Sequence, residues 1–408
     1  MKILLSAYAC EPNKGSEPGV GWSWAIEYAK HHQVWVLTRD NNEQTITAYL
    51  KENPEYNNKN LHFVYVGLPK KLTFWKKGRR GMRLFYMLWQ RKAARIAMEW
   101  NKKIHFDLVQ HVTFVSYTQP TYMFKLGVPL IWGPVSGGEN IPNGIKLEIT
   151  KKEAVVELLR NVSQYCAFLI PSIRNTMKAA HKILVTTQET KTRIPESFIN
   201  KITVLPAISL DKIPDVCKKN RKDGKIKIIM AGRLVYWKGF DIAINGFMSI
   251  ADKYPNAELH ILGEGNQKKR LKELSQDKLG KQVFFEKPVN HDEIFDFYSN
   301  YDFFINTTLR DSGCMTLMEA MSVGLPCIAI ATGGPAILLK SFEECKIIPT
   351  SYESCVSGVA AKIEDFILKP DKWKAIAEQQ RQYAIENFVV SSKIGCVLET
   401  IEEKVDLI

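Results

Sequence analysis

Seven short, continuously apolar runs, and then six more, recur along this chain with amphipathic stretches between them. A run of roughly four to eight residues without polar interruption is buried on both faces, which is the condition of a strand in a parallel sheet covered by helices. The pattern predicts strands at KILLSAYA, QVWVLT, LHFVYVGL, FDLVQHV, VPLIWG, KILVTT and KITVLP. A second set follows at IKIIMAG, AELHILG, QVFFEKP, DFFINT, PCIAIA and CKIIPT. Helices are expected between them, most clearly over 83–103 and 151–180, with a last stretch over 370–405 broken near 387–391. From Pro206 to Gly224 the periodicity fails and Pro, Lys and Asp accumulate, so a linker belongs there. A chain of 408 residues suits two domains. The expected division is 1–205 and 206–387, with a terminal helix over 388–408 packing back onto the first domain. The fold class is α/β: two Rossmann-like doubly wound parallel sheets whose carboxyl ends face a central cleft.

Several classes are excluded early. No apolar run is long enough to cross a bilayer, and MKILLSAYAC reads as a first buried strand rather than a leader. Eight dispersed cysteines without a C-x-x-C pair fit a reducing cytoplasm and offer no zinc site. LGEGNQ lacks the spacing of a dinucleotide fingerprint, and neither a P-loop nor G-x-S-x-G occurs. The net charge of +13 points to an anionic partner.

Two stretches carry chemistry. In MAGRLVYWKGFD a strand ends, Gly232 turns the backbone, and Arg233 and Lys238 flank a helix start, which makes a pocket for a diphosphate. A solvated turn would read the same way. In LRDSGCMTLMEAMSVGLPCIAIATGGP, Asp311 and Glu319 stand eight residues apart around a helix start. Carboxylates there can accept hydrogen bonds from sugar hydroxyls while helix amides meet an anion. Alternatively, Asp311 only complements the helix dipole and Glu319 is solvated.

Together, GRLVYWKG, LHILGEG, DFFINTTLRDSGCMTLMEAMSVGLP and AIATGGP resemble in order and spacing the C-terminal half of glycosyltransferase family 4. SAYACEPNKGSEPGVGW, DLVQHVTF and IWGPVSGGE extend the resemblance over nearly the whole chain. It implies a retaining GT-B enzyme. Arg233 and Lys238 match the pair that holds the donor diphosphate. Glu319 matches the acid that holds the ribose, and Asp311 replaces the usual Glu beside the transferred sugar. Gly232, Gly263, Ser312, Gly313 and Cys314 match backbone that approaches the donor. Gly15, Gly19 and Gly21, between a strand and a helix, match a turn that passes a pyrophosphate, and His111 resembles a histidine that contacts the donor sugar.

No D-x-D occurs, so no metal site is expected, and the basic pair would neutralise the leaving group. No cofactor is expected beyond the nucleotide-sugar donor substrate. The expected activity is hexosyl transfer to a growing, lipid-linked surface glycan such as a capsule or lipopolysaccharide precursor. A sugar-nucleotide epimerase and a basic nucleic-acid-binding protein are the rival readings. Residues 70–103 carry twelve Lys or Arg against Glu99, interleaved with Phe74, Trp75, Phe85, Tyr86, Trp89 and Trp100. That composition suits an anionic membrane surface, and the expected location is then the inner face of the cell membrane; a solvated helix face would read the same way. Nucleic acid ranks last, because it leaves the paired acids unexplained.

Overall fold

The structure is a computed structural model. It describes the chain except residues 70, 72–74, 77, 79–80, 211–212, 216–218, 220–222 and 406–408, and except the side chains of 16, 291, 396 and 399–405. Two compact units result. One comprises Met1–Gly138, Glu157–Ile208 and Lys393–Ile408, and the other Glu139–Val156 and Ser209–Ser392.

The first unit holds a seven-stranded parallel sheet in the order β3-β2-β1-β4-β5-β6-β7. Its strands are β1 (Lys2–Ser6), β2 (Gln33–Arg39), β3 (Leu61–Val66), β4 (Leu108–His111), β5 (Leu130–Val135), β6 (Ala180–Val185) and β7 (Ile202–Val204). The second unit holds β8 (Ile226–Ala231), β9 (Ala257–Leu262), β10 (Val283–Glu286), β11 (Phe303–Asn306), β12 (Cys327–Ile330) and β13 (Lys346–Ile347), ordered β10-β9-β8-β11-β12-β13. Each expected run is a strand, and β4, β5, β9, β11 and β12 are buried at every residue. The order reverses between β1 and β4 and again between β8 and β11, the switch points at which open α/β sheets take ligands.

Three expectations are corrected. Residues 139–156, expected in the first domain, belong to the second unit. Glu148 pairs with Arg270 at 2.9 Å, and Glu153 accepts from Asn266 at 3.0 Å and Gln267 at 3.4 Å. A Cβ on Gly144 would stand 1.9 Å from the Thr350 carbonyl oxygen. These contacts hold the segment where sequence order would not put it.

The helix expected over 151–180 is two helices, α4 (Lys151–Cys166) and α5 (Pro171–Ala179), with a 3-10 turn at Ala167–Leu169. Pro171 has no N–H to continue α4, and it occupies the first turn of α5, where none is needed.

Four of the six aromatics of the basic segment pack in a core cluster of the first unit. In α3 (Met82–Ile104), Tyr86 and Trp89 are fully buried, Phe85 and Trp100 pack against the same cluster, and Trp89 Nε1 donates to the Val66 carbonyl at 2.8 Å. These four rings pack against the core cluster rather than forming a free aromatic face. Lys70, Phe74, Lys77, Arg79 and Arg80 lie outside the described residues. The final break does fall where expected, between α13 (Pro370–Asn387) and α14 (Val390–Val405).

Candidate active site

In the second unit the loops after β8, β9 and β11 touch through their backbones. A Cβ on Gly263 would lie 1.9 Å from the Gly232 carbonyl oxygen. Gly239, at φ 61° before α7 (Phe240–Met248), presses against the Thr307 carbonyl, 2.3 Å from where a Cβ would stand. Only glycine fits either place. The loops are also laced by hydrogen bonds: Leu309 N donates to the Trp237 carbonyl at 2.9 Å, and Thr307 Oγ1 to that of Gly239 at 2.7 Å.

On this scaffold the Lys238 ammonium and the Asp311 carboxylate form an ion pair. The second Asp311 oxygen accepts from the amides of Gly313 at 3.1 Å and Cys314 at 3.2 Å, at the start of α10 (Met315–Val323). Burial alone would raise the Asp311 pKa, but Lys238 and the two amides outweigh it and hold the carboxyl below its ordinary value. The amides expected to approach a donor through Gly313 and Cys314 are therefore occupied by Asp311, whose short side chain folds back onto the helix start. Ser312 is half-buried beside them, and Arg233 is exposed, with no ion-pair partner among the described residues.

Glu319 departs from expectation more sharply. It lies on the buried side of α10 and accepts from Tyr298 Oη at 3.4 Å. Burial pushes its pKa up to about 7. The Cys314 thiol is also buried; its Sγ is met by Asn306 Nδ2 at 3.0 Å, and burial pushes its pKa up to about 12.

Three contributors had no assigned role in the sequence. Cβ atoms on Gly333 and Gly334 would strike the Asp311 carbonyl oxygen at 2.2 Å and the Gly313 nitrogen at 2.9 Å. Gly334 N also donates to the Asp311 carbonyl at 2.8 Å. The Gly-Gly pair in the motif is thus the seat of the 311–313 loop. Buried Glu139 packs at the same turn, its Cγ 3.3 Å from a Cβ placed on Gly333. The doublet was the available signal; the burial of Glu139 left none.

The first unit treats its sequence-predicted residues differently. Gly15 precedes α1 (Ser16–Ala29), while Gly19 and Gly21 lie inside it. Their Cβ positions fall 2.1 Å from the carbonyl oxygens of Lys14 and Ala9. The glycines admit the chain's own backbone there, which accounts for their spacing without a pyrophosphate. His111 is buried at the end of β4 rather than displayed. It exchanges hydrogen bonds with Tyr86 Oη at 2.8 Å and Ser6 Oγ at 2.9 Å, and burial pushes its pKa down to about 3. Both nitrogens of this neutral imidazole are thus engaged by neighbours within the first unit.

Two doubly wound parallel units of these strand orders define a GT-B-fold protein, and the charged loops at the β8/β11 switch point suit a phosphate-bearing ligand. Residues 212–383, all within the second unit, match the family described as glycosyl transferases group 1. An uncharacterised glycosyltransferase of Methanocaldococcus jannaschii is 31% identical over 235 residues, covering 54% of this chain and 57% of the relative. The GtfA subunit of a UDP-N-acetylglucosamine–peptide N-acetylglucosaminyltransferase of Streptococcus parasanguinis is 29% identical over 231 residues, 54% of this chain and 44% of its own. The chain thus spans about half the length of these curated relatives. Among solved structures, the lipopolysaccharide outer core galactosyltransferase WaaB superposes with a TM-score of 0.64 over 99% of this chain and 100% of that one, at 16% identity. Anabaena HepE in complex with UDP and glucose gives 0.60 over 98% and 99%, also at 16%.

Proposed function

We propose that the chain is a retaining family 4 glycosyltransferase that moves a sugar from a nucleoside-diphosphate sugar to a lipid-linked surface glycan. The observation that carries this reading is the Lys238–Asp311 ion pair at the β8/β11 switch point, with the exposed Arg233 on the same β8 loop, within the stretch that matches the group 1 family. Lys238 exchanges Asp311 for the donor diphosphate, and Arg233 joins it. The two cations then take up the charge that develops on the leaving group as the sugar becomes oxocarbenium-like. Glu319 accepts from the ribose, and Asp311 stands beside the sugar. With two cations on the diphosphate, transfer is metal-independent. Structural relatives solved with UDP and with UDP-glucose favour a uridine nucleotide, and the likeness to a lipopolysaccharide galactosyltransferase favours a glycan acceptor. Association with an anionic membrane face brings the site to such an acceptor, with the basic residues of 70–103 supplying charge.

A thermal-shift series with UDP-, GDP-, ADP- and TDP-sugars tests the donor, since a ligand bound only by the folded state stabilises it by mass action. One nucleotide should raise the midpoint selectively, and a flat series would end the reading. Transfer should persist in excess EDTA. Its loss on chelation, with recovery in manganese, would contradict the metal-independent mechanism.

A further inference from the structure

While α3 keeps its aromatic rings inside the protein, α4 and the turn after it are arranged the other way round. Gln164 is buried, and Gln164 Nε2 at 2.7 Å and Arg160 Nη2 at 3.3 Å both donate to the Gly137 carbonyl, so polar side chains hold this helix to the first unit. Leu158, Leu159, Val162, Tyr165, Leu169 and Ile170 instead stand 43% to 75% exposed. Within α4, steps of four and three residues put Leu158, Val162 and Tyr165 on one face with Leu159 beside them, and Leu169 and Ile170 follow in the turn after the helix. Single exposed apolar side chains are ordinary, but a contiguous stripe marks a surface that meets something.

Charge decides what it meets. Arg174 and Lys178 stand exposed on α5, and the Arg174 guanidinium donates to the Leu169 carbonyl at 3.4 Å, beside the stripe. A second copy of this chain, which carries a net charge of +13, would set like charges against one another. An anionic bilayer satisfies both halves of the surface: acyl chains take the stripe and headgroups take the cations.

We propose that the α4–α5 elbow, residues 158–170, is the surface on which this protein rests on an anionic lipid bilayer. The inference extends the membrane part of the reading above, but it does not depend on the transfer reaction.

Sedimentation with vesicles of phosphatidylcholine containing a minority of phosphatidylglycerol tests it. The variant carrying Leu158→Ser, Leu159→Ser and Leu169→Ser should partition at least about tenfold more weakly than wild type, because it loses apolar area that enters the interface. Leu159→Phe, which keeps that area, should bind as wild type does. Lysines and arginines left in place should keep the residual binding salt-sensitive. UDP affinity in solution should be equal in all three proteins, which separates failure of this inference from failure of the donor assignment. Single substitutions Tyr165→Ser and Leu169→Ser give the same reading with less perturbation if the triple variant does not fold. Wild-type partitioning by the serine variants would overturn the proposal. So would a dimer that these substitutions convert to monomer while vesicle binding stays unchanged, because the stripe would then belong to a second copy.

Discussion

The β1/β4 and β8/β11 switch points occupy the same place in two sheets of similar order, and they differ in charge. At the ends of β1 and β4, Ser6, His111 and Tyr86 form a neutral, buried hydrogen-bond chain, and the nearby glycines are filled by carbonyls of their own loop. Glu17 is the acid there. It accepts from Phe114 N at 2.6 Å, and burial raises its pKa. At the ends of β8 and β11, glycines again close the backbone, but they present Lys238, Asp311 and the exposed Arg233. Topology fixes where a ligand can sit; charged side chains decide whether an anion is held there.

The largest effect that would sharpen this contrast is removal of both cations. Arg233→Ala with Lys238→Ala should weaken nucleoside-diphosphate binding by about 3–6 kcal/mol, at roughly 1.5–3 for each charge-assisted contact. Isothermal titration of the folded variant reads it, and unchanged affinity would break the assignment of the anion site to the second unit.

The counterpart in the first unit is His111→Gln, which keeps hydrogen-bonding atoms and removes the titration. The folded imidazole titrates near 3 and an unfolded one near 6.5, so between these values the unfolded chain binds the extra proton. Stability is therefore present above pH 6.5 and is lost as pH falls toward 3, by on the order of 3 kcal/mol at pH 4. Urea unfolding across this window should show a flatter dependence in the variant. UDP affinity at pH 7 should match wild type; a drop would return His111 to the donor site.

A smaller effect belongs to Glu319. With its pKa near 7, the carboxyl is about half ionised at neutrality. Ribose hydroxyls donate to the ionised form, so donor affinity should rise about tenfold from pH 6 to pH 8, the span over which ionisation is completed. Glu319→Gln should remove the slope. The smallest effect is that of Asp311→Asn, which frees Lys238 from its internal anion. UDP affinity should rise by up to about 1 kcal/mol, because the pair is partly exposed and screened, while sugar transfer falls.

The strands were legible because a strand buried on both faces writes an unbroken apolar run, as in IKIIMA or CIAI. The charged loops were legible as well, since Arg233, Lys238 and Asp311 follow directly on such runs. What stayed hidden depends on partners distant in sequence. Gly21 has its meaning from the Ala9 carbonyl, Gly333 from that of Asp311, and residues 139–156 from Arg270 and Asn266. In α3 the aromatics read as a membrane face because the periodicity of an apolar stripe does not say what covers it. Glu319 was legible as an acid on α10, but its burial against Tyr298 was not, because that partner lies in a distant part of the sequence.

Hydrogen exchange followed by mass spectrometry, with and without saturating UDP, tests most directly whether the nucleotide is held by the second unit. Protection should rise in peptides covering 232–240 and 311–319, where the loops after β8 and β11 carry the charged cluster, and peptides covering 15–21 should exchange at the same rate in both samples. Protection confined to 15–21, with none at 311–319, would contradict it.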